Sequence, residues 1–230
     1  MAAQLILAKN IDISKISYDS VRKNAVGGNI VYIKYDNIPK LSIQTCELSA
    51  PFGLSTFTDD KSGNVKYSLD ISFRGMDDNP EIKEFYDKMC SMDEMLISQG
   101  IANSKEWFGK KLSKEVVENF YRPLIKPSKE PEKYAPTMKL KIRQNRLGAI
   151  DCPCYYTNKE RVDFKEALVP GVQIAAILEC NSIWFVNKNM FGISWNIVQL
   201  KVQKSNKIAG FSFIEDETEE EEYEEEYEEA

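Results

Sequence analysis

Apolar and polar residues alternate with a period of two over residues 137–143 (TMKLKIR), placing Met138, Leu140 and Ile142 on one side and Lys139, Lys141 and Arg143 on the other. Extended backbone points successive side chains to opposite faces, so the pattern predicts a half-buried strand. Alternating or β-branched runs at 29–35, 41–48, 66–73, 171–179, 182–186 and 192–202 predict further strands, and 208–214 reads as a final one. Turn formers separate them, among them Gly27-Gly28, Asp36-Asn37 and the polar stretch 59–64, which suits a hairpin between 55–58 and 65–73.

Between residues 79 and 122 the periodicity changes. Asn79 is placed to cap a helix that begins at Pro80, and Ile82, Phe85, Met89, Met92 and Leu96 follow at spacings of three and four, ending near Gly100. An amphipathic helix of about four to five turns is expected, with its methionines packed in the core. Shorter helical segments follow Ser104 and Ser113, and Pro123 stops the second. A proline- and lysine-rich connector, 123–136, then crosses the surface back to strands. Strands, a block of helices and strands again fit a curled antiparallel sheet or small barrel better than a βαβ arrangement.

Of the chain's 36 acidic residues, 12 lie in the last sixteen positions (EDETEEEEYEEEYEEA). The remaining 24 face 30 Lys+Arg, so a formal net charge of -6 conceals a body, residues 1–214, of +6. Like charges at that density, with few apolar groups, predict a disordered acidic tail over 215–230 attached to one domain. A hydrophobic content of 43% is ample for that domain's core. The apolar run at 2–8 is far too short to span a bilayer, so a soluble, intracellular protein is expected. Five scattered cysteines predict reduced thiols, and the absence of histidine weighs against an enzyme.

A basic body with an anionic tail points to nucleic acid or to basic partner proteins. Residues 101–165 hold fifteen Lys+Arg against eight Asp+Glu, and within them Lys139, Lys141 and Arg143, followed by Arg146, form a row for phosphates. Such a row would equally keep an edge strand soluble. Rings for base stacking are sought among residues on polar faces: Trp184 opposite Ile183 and Phe185, Tyr32 beside Lys34, and Phe52 in a loop between Pro51 and Gly53. Trp195, in step with Ile193 and Ile197, is assigned to the core. Cys152-Pro153-Cys154 lacks the partners of a zinc site, and the pairs Asp59-Asp60 and Asp77-Asp78 read as turn residues, so neither a metal nor a cofactor is expected.

Six segments, Ile43-Gln44-Thr45, Pro51-Phe52-Gly53-Leu54, 67–73, Trp107-Phe108, 134–142 (YAPTMKLKI) and 191–199 (FGISWNIVQ), followed by the acidic tail, resemble the single-stranded DNA-binding proteins of nucleocytoplasmic large DNA viruses. That group is similar to the replicative single-strand binders of certain bacteriophages. The resemblance implies an oligonucleotide-binding (OB) barrel with a helical insertion, sequence-tolerant capture of single-stranded DNA in replication, recombination or repair, and location in a host cytoplasmic viral factory or nucleus. It also implies a tail, with Glu219, Glu220, Glu221, Glu222, Tyr223 and Tyr227, that docks replication proteins such as a DNA polymerase or helicase-primase. Cys46 stands where a proline is expected, and the tail ends without the terminal phenylalanine of phage proteins. An acidic-tailed interaction protein, histone-chaperone-like or transcription-associated, is the alternative, and self-association stays open.

Overall fold

A computed structural model describes residues 5–25, 27–60, 63–187 and 189–204; the expected strand at 208–214 and the tail residues lie outside these. Strands β1 (Leu5–Leu7), β2 (Ile16–Tyr18), β3 (Arg22–Lys23), β4 (Asn29–Tyr35), β5 (Ile38–Pro39), β6 (Leu41–Gln44), β7 (Leu48–Ala50), β8 (Leu54–Thr58) and β9 (Val65–Ser72) precede three helices, α1 (Pro80–Ala102), α2 (Ser104–Phe108) and α3 (Lys114–Phe120). Then come β10 (Ile125–Lys126), β11 (Thr137–Ile142), β12 (Cys154–Tyr156), the short α4 (Phe164–Ala167), β13 (Val172–Cys180), β14 (Ser182–Val186), β15 (Met190–Ile193) and β16 (Asn196–Val202).

Five of these strands close a barrel. β7 pairs with β9, β9 with β11, β11 with β16, β16 with β13, and β13 returns to β7. All pairings are antiparallel except β11–β16, which is parallel. Counted along the chain, the barrel strands lie in the order 1-2-3-5-4-1, the closed five-stranded arrangement of an OB-fold. β6 leads into β7 through a bend held at Thr45, whose Oγ1 accepts the Ala176 N–H at 3.0 Å while its own N–H donates to the Ala176 carbonyl at 2.9 Å. Inward residues such as Leu69, Ile71, Met138, Leu140, Leu178 and Leu200 are fully buried and fill the interior.

The predicted run at 192–202 is two strands, with Trp195 fully buried at the corner between β15 and β16. The chain leaves the β14–β15 hairpin and enters the barrel at this residue, which divides the run in two. β14 and β15 belong instead to a second sheet with β4, β2, β3 and β5. Its β4–β5 turn places Asp36 and Asn37 at φ 50 and 63, the left-handed conformation of a two-residue hairpin turn.

The helices lie between barrel and second sheet. Asn79 Oδ1 accepts the N–H groups of Glu81 and Ile82, a cap that stabilises the start of α1 by about 1 kcal/mol. Ile82, Phe85, Met89, Met92 and Leu96 are buried, so the methionine stripe is core. Phe85 meets Phe73 at the end of β9, ring centroids 5.7 Å apart, which ties α1 to the barrel. Toward the second sheet, Trp107 and Phe108 pack edge-on against Phe185 and Phe191. Gly100 permits the close approach of α1 to this cluster, since a Cβ there would lie 2.8 Å from the Phe191 ring and 2.9 Å from Val117.

Candidate nucleic-acid interface

The outward side of the barrel carries a concavity of about 640 Å³ over β9, β11 and the adjoining ends of β13 and β16. Strand register sets its rows. Ser68 on β9 faces Lys141 on β11, Lys141 faces Asn196 on β16, and Asn196 faces Glu179 on β13. On one side of that row Lys139 faces Asp70; on the other Lys66 faces Phe57 of β8. Lys139, Lys141 and Arg143, predicted as a row, do line one surface, and Lys40 and Lys66 join them.

These five cations surround one lining carboxylate, Glu179, which lies 3.5 Å from the Lys40 ammonium. Arg143 is held in place by donating from Nε to the Asp151 carbonyl at 2.9 Å, with the Asp151 carboxylate at 3.2 Å. Lys141, although solvent still reaches it, has its ammonium held below the ordinary lysine value, first by partial desolvation and then by the charge of Lys66. Five cations against one carboxylate, beside low-dielectric walls, favour an incoming anion.

Aromatic surface accompanies the charge. Phe57 lines the concavity with 61% of its surface exposed, and Tyr67 lines it beside Ser68. Sequence pattern alone does not single out Phe57, Lys66, Tyr67 or Lys40 as members of this surface. The alternation of Lys66, Ser68 and Asp70 with Tyr67, Leu69 and Ile71 carried the signal for Lys66, and the hairpin carried it for Phe57. Lys40 lies between β5 and β6 with φ 76 and reaches the site only through the fold.

Arg146 lies apart from the other three cations of the predicted row. β11 ends at Ile142 and the chain turns at Asn145, whose Oδ1 accepts the N–H groups of Leu147 and Ala149. Side-chain alternation stops with the strand, so Arg146 is exposed in a turn and does not line the concavity.

The three proposed stacking residues are also elsewhere. Phe52 is 63% exposed, as expected, but lies in the turn between β7 and β8; Gly53 beside it would place a Cβ 2.5 Å from the Leu168 carbonyl. Tyr32 and Trp184 share the outward face of the second sheet, since Tyr32 pairs with Ser182 and Trp184 with Ile30. Tyr32 is 40% exposed, with the Arg22 guanidinium 5.8 Å from its ring centroid. Trp184 packs over Gly192, where a Cβ would lie 2.9 Å from the indole, and its buried Nε1 has no hydrogen-bond partner among the described residues. None of the three lines the concavity.

Burial pushes the Cys152 thiol up to about 12 and the Cys154 thiol up to about 11. Among the described residues no group of three or more His, Cys, Asp or Glu side chains is placed to hold a metal ion. Asp77 and Asp78 sit in the turn before α1, where the Asp78 N–H donates to the Gly75 carbonyl. No described helix is long and apolar enough to cross a membrane. Residues Glu219, Glu220, Glu221, Glu222, Tyr223 and Tyr227 lie outside the described residues.

The barrel order and the outward cationic surface define an OB-fold protein. Residues 70–215 match the Family of unknown function (DUF5871), and the chain belongs to that family. No curated protein matches the sequence. Among solved structures, the chain is similar to gp2.5, a single-stranded DNA-binding protein encoded by bacteriophage T7, with a TM-score of 0.50 and 10% identity over 75% of this chain and 91% of that one. It is also similar to the single-stranded DNA-binding protein of bacteriophage Enc34 in complex with single-stranded DNA, with a TM-score of 0.43 and 12% identity over 83% of this chain and 98% of that one. Both likenesses are to the fold of phage proteins, not to proteins of nucleocytoplasmic large DNA viruses.

Proposed function

We propose that this protein captures single-stranded DNA on the outward face of its barrel without reading base sequence and without catalysing a reaction. One observation carries the reading: five cations and an exposed phenylalanine line a single concavity over the second and third barrel strands. That face is where OB-folds take up oligonucleotides. Lys66, Lys139 and Lys141 would meet phosphates, Arg143 would add a fixed guanidinium, and Phe57 would stack on a base. Stacking on a ring tolerates every base, so such a surface binds strands rather than sequences. One barrel of this kind covers about 4–16 nucleotides. The name of the phage T7 neighbour supports the reading.

The acidic tail fits this role as a competitor and a recruiter. A polyanion tethered to a cationic surface occupies it in the absence of DNA, and DNA then displaces the tail toward basic faces of a polymerase or helicase-primase. Truncation after Ile214 is therefore expected to tighten DNA binding at low salt and to abolish recruitment of replication proteins. The reading is tested by titrating labelled oligo(dT), duplex and RNA of equal length with the full chain at two salt concentrations. Salt-dependent binding of oligo(dT) with weak binding of duplex is expected. Failure to bind oligo(dT) at low salt, with or without the tail, would leave the acidic-tailed interaction protein as the better account.

A further inference from the structure

The barrel has a second concavity, of about 520 Å³, which the proposed DNA path does not use. It lies on the outward side of β12, β13 and β16 and is lined by Tyr155, Tyr156, Ala175 and Ile177, together with exposed Lys159 and Lys201. Ala175 and Ile177 are half-buried on what is the solvent side of a barrel strand. Apolar outward positions on an antiparallel sheet call for a cover, because the alternation that fills the interior normally leaves polar groups outside.

The chain itself arrives at this wall. After β16 the Gln203 N–H donates to the Gln173 carbonyl at 2.9 Å, and the Lys204 ammonium lies 5.7 Å from the centroid of the Tyr156 ring. The next ten residues, SNKIAGFSFI, bring Ile208, Phe211, Phe213 and Ile214 immediately before the acidic run. Two phenylalanines and two isoleucines in so short a stretch suit burial, and ten residues reach about 33 Å when extended, ample to fold back onto the concavity. Beyond them Glu215, Asp216 and Glu217 match the charge of Lys159 and Lys201.

We propose that residues 208–214 dock in cis into this concavity, with phenylalanine rings against Tyr155, Tyr156 and Ile177 and the first acids of the tail against Lys159 and Lys201. Ile177 and Glu179 are successive outward residues of β13, about 7 Å apart, and Glu179 lines the cationic surface. Docking thus roots the polyanion next to the surface it would compete for. Nucleic acid is the weaker occupant, since this lining is more apolar and holds two cations where the other holds five.

The test does not depend on DNA binding. Hydrogen exchange by mass spectrometry is compared between the full chain and the full-chain variant Phe211→Glu/Phe213→Glu, and a photo-crosslinking phenylalanine analogue is placed at 211 in an otherwise unchanged chain. Docking predicts that peptides covering 154–160 and 173–177 exchange at least about tenfold faster in the double variant, the factor expected for removing one well-buried ring, while 66–72 is unchanged. It also predicts an intramolecular crosslink to the 154–160 peptide. Unchanged exchange, a crosslink elsewhere, or a crosslink joining two chains would overturn docking in cis. Oligo(dT) protecting 154–160 in the double variant as strongly as the segment does in the full chain would assign the concavity to DNA and overturn it as well.

Discussion

Lys66 and Lys141 stand on adjacent barrel strands, on one outward face and in one concavity, and the Lys141 ammonium is held below its ordinary value first by partial desolvation and then by the charge of Lys66. The folded-state pKa of Lys141 lies below its unfolded value, so the folded chain binds fewer protons between the two. The penalty is complete below the folded pKa and is relieved as pH rises through that window. Lys141→Met is therefore expected to raise the thermal midpoint of the free protein at pH 7 while weakening oligo(dT) binding. A scanning-calorimetry trace with a lowered midpoint would contradict the desolvated, like-charged setting of Lys141.

Phe57 should act through its ring alone. Phe57→Ala is expected to cost about 1–3 kcal/mol of binding to oligo(dT) with an unchanged dependence on salt, and Phe57→Trp to keep the affinity. Phe52→Ala, outside the concavity, should leave binding as it is. Anisotropy titrations of the three variants at one salt concentration, repeated at a second, distinguish a stacking ring from a structural one.

Asp93 fastens α1 to the chain that leaves α3. Its carboxylate accepts the Tyr121 hydroxyl at 2.5 Å and the Leu124 N–H at 3.0 Å, while burial pushes its pKa up despite those bonds. Asp93→Ala leaves these donors unpaired, and a loss of about 2–4 kcal/mol in urea unfolding is expected. Because the folded pKa is raised, the charge of Asp93 costs stability as pH climbs from the unfolded carboxylate value through the folded one. The stability of the wild type relative to Asp93→Asn should accordingly be greatest below that window and fall across it.

Gly100 sets the distance between α1 and the aromatic cluster. Gly100→Val would drive methyl groups into Phe191 and Val117, and destabilisation by about 1–3 kcal/mol is expected from overpacking. Equilibrium unfolding of this variant checks whether the helices are packed as tightly against the second sheet as the structure shows.

Local pattern carried much of this architecture. The period of two at 137–142 gave β11 and its cationic face, and Asn79-Pro80 with the spacing from Ile82 to Leu96 gave α1. Both are properties of a single element. The pairing of β4 with β14 joins residues some 150 positions apart in the chain, and no local period marks it. For that reason Tyr32 and Trp184 could be placed on polar faces but not on the sheet to which those faces belong. Lys40 shows the same boundary, since it reaches the cationic surface through a turn, and Arg146 shows its converse, where a pattern was extended one turn beyond its strand.

On the proposed reading, the cations of β9 and β11 neutralise phosphates of a single strand. Counterion release reports this: the slope of log affinity for oligo(dT) against log salt is compared between the full chain and Lys66→Ala/Lys139→Ala/Lys141→Ala. If all three lysines meet phosphate, the slope should shrink by about two units, at roughly 0.7 for each phosphate no longer neutralised on a single strand. An unchanged slope would show that DNA, if bound at all, lies on another face.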